Sequence, residues 1–128
     1  MIQYVRDFMK KNLVTANLND SVAYAKNMMS ENRMHSILIP PARGGKSWWI
    51  FTETDLLLAL DSGEDPENIS IGAYASPVKY KARLDWDYRR ALDEMINAGV
   101  KHLPVVDDGG NVVGMISSTD MISYFGRE

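Results

Sequence analysis

Ser117, Thr119 and Asp120 stand almost side by side in "VVGMISSTD", where a short apolar run gives way to a helical pattern. Two hydroxyls and a carboxylate at such a junction support two kinds of chemistry. The first is local. A Ser followed three residues later by an acid is the capping-box pattern, in which the hydroxyl accepts from a first-turn N–H and the acid favours the positive helix end. The second is recognition. Open N–H groups at a helix start suit phosphate oxygens, and the hydroxyls of Ser117 and Thr119 donate to the same atoms. The two carboxylate oxygens of Asp120 match the vicinal hydroxyls of a ribose. Phosphate and ribose together describe a nucleotide. Gly114, inside the apolar run, leaves room for a close approach to the backbone, which a strand glycine often signals.

The same constellation occurs earlier in the chain, as Thr52, Thr54 and Asp55 in "SWWIFTETD". It belongs to a longer repeat. "SVAYAKNMMSENRMHSILIP" lies over "DYRRALDEMINAGVKHLPVV", with Ala25 on Ala91, Met29 on Met95, Ser36 on His102 and Ile39 on Val105. Beyond a single-residue difference, Gly44 falls on Gly109, Thr52 on Ser117 and Asp55 on Asp120. Trp49 stands where the second copy has Gly114, and an indole there fills the space that the glycine leaves open.

The elements that must position these groups follow from periodicity. Tyr88, Ala91, Leu92, Met95 and Ile96 recur with helical spacing, as do Val22, Ala25, Met28 and Met29. Gly99 is placed to end the second of these helices in the left-handed conformation. "HSILI", "SWWIF", "HLPVV" and "NVVGMIS" read as strands, "DDGG" as a hairpin turn, and "TETDLLLAL" and "STDMISYF" as closing helices. "NLVT" and "PVKYK" are short extended leads. Each unit is therefore strand-helix-strand-strand-helix, an α+β arrangement. Residues 1–65 form the first unit and 66–128 the second, joined through the polar stretch 61–70. Each is close to the lower size limit for an independent core. The two are expected to pack through their sheets as a pseudo-twofold pair, with the methionines as core filler.

Composition narrows the function classes. The 128 residues carry a net charge of -3, which provides no basic face for nucleic acid. The absence of cysteine excludes disulfides, thiolate metal sites and cysteine nucleophiles, and fits a cytoplasmic location. No apolar run is long enough to span a membrane. His35 and His102 have no companion nucleophile or ligand set, so metal and triad readings are rejected. Asp55 and Asp120 likewise lack the partners of an enzyme site. Lys79, Lys81, Arg83 and Lys101 supply positive charge that suits a phosphate.

The tandem helix, the "HLPVV" strand, the glycine turn and the "VVGMISSTD" strand-to-helix junction resemble the cystathionine-β-synthase (CBS) domain. Two in tandem resemble the CBS pair, or Bateman module, and the opening "VRDFMKKNLVT" resembles the family's lead-in. The resemblance implies a non-enzymatic, energy-sensing regulatory module that binds an adenine nucleotide between the paired domains. AMP is the first candidate, with ADP and ATP beside it, and no cofactor is required. It implies that Asp120 holds the ribose, with Ser117 and Thr119 on phosphate and Gly114 beside them. Val78, Lys79 and Tyr80 would line the adenine, near His102, Leu103 and Pro104. The corresponding first-unit residues are Asp55, Thr52 and Thr54, with Thr15 and Ala16 in the lead and Ser36 and Leu38 on the strand. A homodimer and a regulated protein partner are implied as well. The alternatives are a sensor of S-adenosylmethionine or NAD, and a ligand-free protein interaction module that docks through Trp48, Trp49 and its apolar helices.

Overall fold

The computed structural model describes residues 2–125. The chain forms two compact units that do not coincide with the sequence repeats. A central unit comprises Val14–Val78, and a terminal unit joins Met1–Leu13 to Lys79–Glu128.

In the central unit, helix α2 (Val22–Asn32) starts at Ser21, whose hydroxyl accepts from the Tyr24 N–H at 3.0 Å. It ends at Arg33 in the left-handed conformation, φ 53°. Val22, Ala25 and Met29 bury one face, as their spacing predicts. Strands β1 (Ser36–Ile39) and β2 (Trp49–Thr52) pair antiparallel, with Ser36 opposite Thr52. On one edge Thr15 bridges Leu38 in parallel, and on the other a short strand β3 (Ser76–Pro77) pairs with β2. Helix α3 (Glu53–Asp61) follows β2 directly.

The stretch 61–70 is only partly a linker. Pro66–Asn68 form a single 3-10 turn, and Ile69 is buried with Ile71 in the central core. The Ile69 carbonyl accepts the Val22 N–H at 2.8 Å, and the Asp20 carbonyl accepts the Ile71 N–H at 2.8 Å. Those two apolar side chains need burial, and the first turn of α2 needs an acceptor; one strap satisfies both.

The terminal unit takes its N-terminal segment from the start of the chain. A one-turn helix α1 (Val5–Phe8) is tied by the Val5 N–H to the Trp86 carbonyl at 2.9 Å. Val5 and Phe8 join Ala91, Met95, Leu103, Val105 and Ile116 in the core. Helix α4 (Tyr88–Ala98) starts at Asp87 and ends at Gly99, φ 68°. Ala91 and Met95 are buried on it, with Tyr88 and Leu92 packed beside them. Ile96, predicted to share that face, is instead 74% exposed. It sits at the margin of the apolar arc, where the helix turns away from the core. Strand β4 (Ala82–Arg83) runs parallel to β5 (His102–Val106), which pairs antiparallel with β6 (Val112–Ser117). Helix α5 (Ser118–Phe125) follows β6 directly.

Candidate functional site

Each unit turns from its last long strand into a helix at the predicted hydroxyl and acid. In the central unit Thr52 caps α3 reciprocally. Its backbone N–H donates to Asp55 Oδ2 at 2.8 Å and its hydroxyl donates to the same oxygen at 3.1 Å. The Asp55 N–H lies 3.4 Å from Thr52 Oγ1. In the terminal unit Ser117 Oγ donates to Asp120 Oδ2 at 2.8 Å and accepts the Asp120 N–H at 3.1 Å. The local chemistry of the capping pattern is therefore present in both copies. Asp55 is long enough to close the box by accepting the Thr52 N–H.

The junctions are matched in a second way. The Glu53 N–H donates to the His35 carbonyl at 3.0 Å, and the Ser118 N–H donates to the Lys101 carbonyl at 2.9 Å. Two first-turn donors in each helix are thus engaged by the protein, which narrows the set open to an anion. Across each sheet Ser36 is paired with Thr52, and His102 with Ser117.

The two copies differ in what approaches them. The Lys10 N–H donates to the Met115 carbonyl at 2.8 Å and the Met115 N–H donates to the Lys10 carbonyl at 3.0 Å. This brings the N-terminal segment against β6. A Cβ on Gly114 would lie 2.6 Å from Met9 Sδ and 3.0 Å from the Lys10 carbonyl oxygen. The close approach that requires glycine is made by the chain itself. Lys10 then reaches Asp120: Nζ lies 3.4 Å from Oδ1. The Asp120 side chain is 16% exposed and Lys10 41%. In the central unit β3 takes the place of the Lys10 segment, with Ser76 opposite Ile50, and Trp49 packs on the core. Among the described residues no cation pairs with Asp55.

Lys10 was not legible as a site residue. It lies far from Asp120 in sequence, and no spacing links them. The other predicted residues are distributed as follows. In the terminal unit Ser117, Leu103 and Pro104 are buried, His102 and Asp120 are half-buried, and Thr119, Lys79 and Tyr80 are exposed. In the central unit Ser36, Leu38 and Ala16 are buried, Thr52 and Asp55 are half-buried, and Thr15 and Thr54 are exposed. The Val78 N–H donates to the Trp48 carbonyl at 2.8 Å. Of the basic residues offered to a phosphate, Arg83 is engaged by Asp108 and Asp85. Among the described residues no three His, Asp or Glu side chains gather as a metal site, and no helix is long and apolar enough to cross a membrane.

Comparison with known proteins agrees with this architecture. The chain is 27% identical over 120 residues to protein MJ1404 of Methanocaldococcus jannaschii, covering 93% of this chain and only 27% of the length of that relative. Its fold matches the CBS domain pair of protein MJ0100, solved in complex with 5′-methylthioadenosine and S-adenosyl-L-methionine. The TM-score is 0.84 at 25% identity, over 99% of this chain and 98% of the other. It also matches the CBS domain protein PAE2072 of Pyrobaculum aerophilum, solved with AMP, with a TM-score of 0.81 at 18% identity over 92% and 89% of the two chains. The family model for the CBS domain matches twice, at residues 5–62 and 75–127. Two matches that together take in most of the sequence, on a fold shared with solved CBS pairs, place this chain in the CBS domain family.

Proposed function

We propose that the chain is a non-enzymatic regulatory module that binds an adenosine nucleotide, AMP first and ADP or ATP after it, through the carboxylate of Asp120. The observation that carries this reading is the geometry at Asp120. A largely buried carboxylate stands at a strand-to-helix turn beside a hydroxyl, with the same pair repeated at Thr52 and Asp55. Burying a charge is costly unless it is matched, and here Ser117 and Lys10 match it; a ribose with two vicinal donors suits the same pair of oxygens. The functional unit is the pair of repeats, 1–65 and 66–128, acting in the cytoplasm. His102, Leu103, Pro104, Lys79 and Tyr80 are the further ligand residues of this reading in the unit of Asp120, and Ser36, Thr15, Ala16, Thr54 and Val78 in the unit of Asp55.

A second ligand class has a specific observation behind it. The MJ0100 pair, 25% identical, was solved with 5′-methylthioadenosine and S-adenosyl-L-methionine. Both share the adenosyl ribose with AMP, so the same carboxylate serves either class.

Regulation requires that the ligand bind two arrangements of the protein unequally, and that a partner distinguish them. A homodimer is part of this reading. The exposed Leu57 and Leu58 on α3 and Ile122 on α5 support it.

Titration calorimetry with AMP, ADP, ATP, S-adenosylmethionine, methylthioadenosine and NAD tests the proposal. Micromolar to millimolar binding of at least one, weakened about tenfold or more in Asp120→Ala, is the expected result. Intact protein that binds none of them would sink it. An Asp120→Ala variant with unchanged affinity would leave Asp120 as a helix cap alone.

A further inference from the structure

Lys10 gives the Asp120 carboxylate a counter-ion that no sequence pattern announces. In the structure both carboxylate oxygens are engaged: Oδ2 by Ser117 and Oδ1 by the Lys10 ammonium. The backbone of Lys10 is fixed by its reciprocal bonds with Met115, and the absence of a side chain at Gly114 admits that segment. Only the ammonium on its flexible stem is left to move, and it is the more exposed partner.

A ribose hydroxyl that takes Oδ1 competes there with that ammonium and loosens its hold. The loosened charge then gains from another partner. A phosphate on the same ligand supplies one, whereas an uncharged nucleoside leaves the ammonium with water alone. We infer that Lys10 is a specificity-determining residue, which biases the Asp120 site toward anionic, phosphorylated nucleosides over neutral ones such as adenosine or methylthioadenosine. The inference rests on the nucleotide-binding reading above and adds a charge requirement to it. It also makes the two copies unequal. The position of Lys10 is taken in the central unit by Ser76, which has no charge to trade, so a ligand at Asp55 meets no such selection.

The test is the ratio of AMP to adenosine affinity, measured by calorimetry on the full chain and on Lys10→Met and Lys10→Arg. Lys10→Met keeps the length of the stem and removes the charge. Its AMP-to-adenosine ratio should fall about tenfold or more, the loss of one charge-assisted hydrogen bond. Adenosine affinity itself should hold or rise, because its competitor for Oδ1 is gone. Lys10→Arg should keep the ratio, and the wild-type preference for AMP should shrink with added salt. A merely structural role for Lys10 would weaken both ligands alike. A ratio unchanged in Lys10→Met, with wild-type protein still binding AMP, overturns the role of Lys10 and leaves the nucleotide reading intact. Wild-type protein that binds neither ligand overturns both.

Discussion

Met9 and Gly114 occupy one space: a Cβ added at position 114 would lie 2.6 Å from the Met9 sulfur. The adjoining contact, 3.0 Å to the Lys10 carbonyl oxygen, is with backbone that is itself paired to β6 and cannot retreat freely. Gly114→Ala should therefore cost about 1–3 kcal/mol, the usual range for overpacking. Met9→Ala alone should also destabilise, by opening space beside Gly114. Because the two share a contact, the double variant should cost less than the sum of the single ones. Urea unfolding of the four proteins measures the coupling. Strict additivity would show that the glycine answers to something other than Met9.

The glycine illustrates what the sequence could and could not reveal. Its presence in a strand signalled a close approach, but the neighbour comes from the opposite end of the chain. Lys10 and Met115 meet through a bridge of single residues, which leaves no periodic trace in the segment that makes it. For the same reason the sequence alone puts the N-terminal segment with the first repeat, whereas it belongs to the terminal unit. Features set by neighbours in sequence were legible: the buried faces of α2 and α4, the left-handed Gly99, and both hydroxyl-acid caps. Ile69 lay hidden in a polar stretch, because one apolar residue among acids carries no period of its own.

That strap provides a test of the extended central core. Ile71 is fully buried against the core of α2 and β1, so Ile71→Ala should lose about 2–5 kcal/mol. Ile69→Ala should fall toward the lower end, its side chain being 5% exposed. Ile96→Ala, on the exposed side of α4, should change stability by about 0.5 kcal/mol or less. Chemical denaturation of the three variants decides it. A neutral Ile71→Ala would mean that the strap through Ile69 and Ile71 adds nothing to the central core.

The cap of α3 is separable from any ligand. Thr52→Ala removes the acceptor for the Asp55 N–H and leaves Asp55 Oδ2 with the backbone bond alone. The loss should be about 1 kcal/mol, and Thr52→Ser should restore most of it. Thermal unfolding followed by far-ultraviolet circular dichroism gives both values. If Thr52→Ser is as unstable as Thr52→Ala, the hydroxyl is not what holds the helix start.

The hairpin between β5 and β6 has a pH dependence of its own. The Asp107 carboxyl is held below its ordinary value, first by the Asn111 N–H at 2.9 Å, and with it by the Asn111 side chain, the Gly109 N–H and the charge of Arg83. The ionised form accepts these bonds, so they are stronger in the folded chain than in the unfolded one. A group with a lowered folded pKa contributes stability that is fully present above its unfolded pKa, near 4, and is lost as pH falls through the folded one. Asp107→Asn keeps the shape and removes the titration. The gap in stability between wild type and Asp107→Asn should thus be largest near neutral pH and should shrink on acidification. Urea midpoints for both proteins across that range measure it. A gap independent of pH would show that the turn needs only the geometry of the side chain and not its charge.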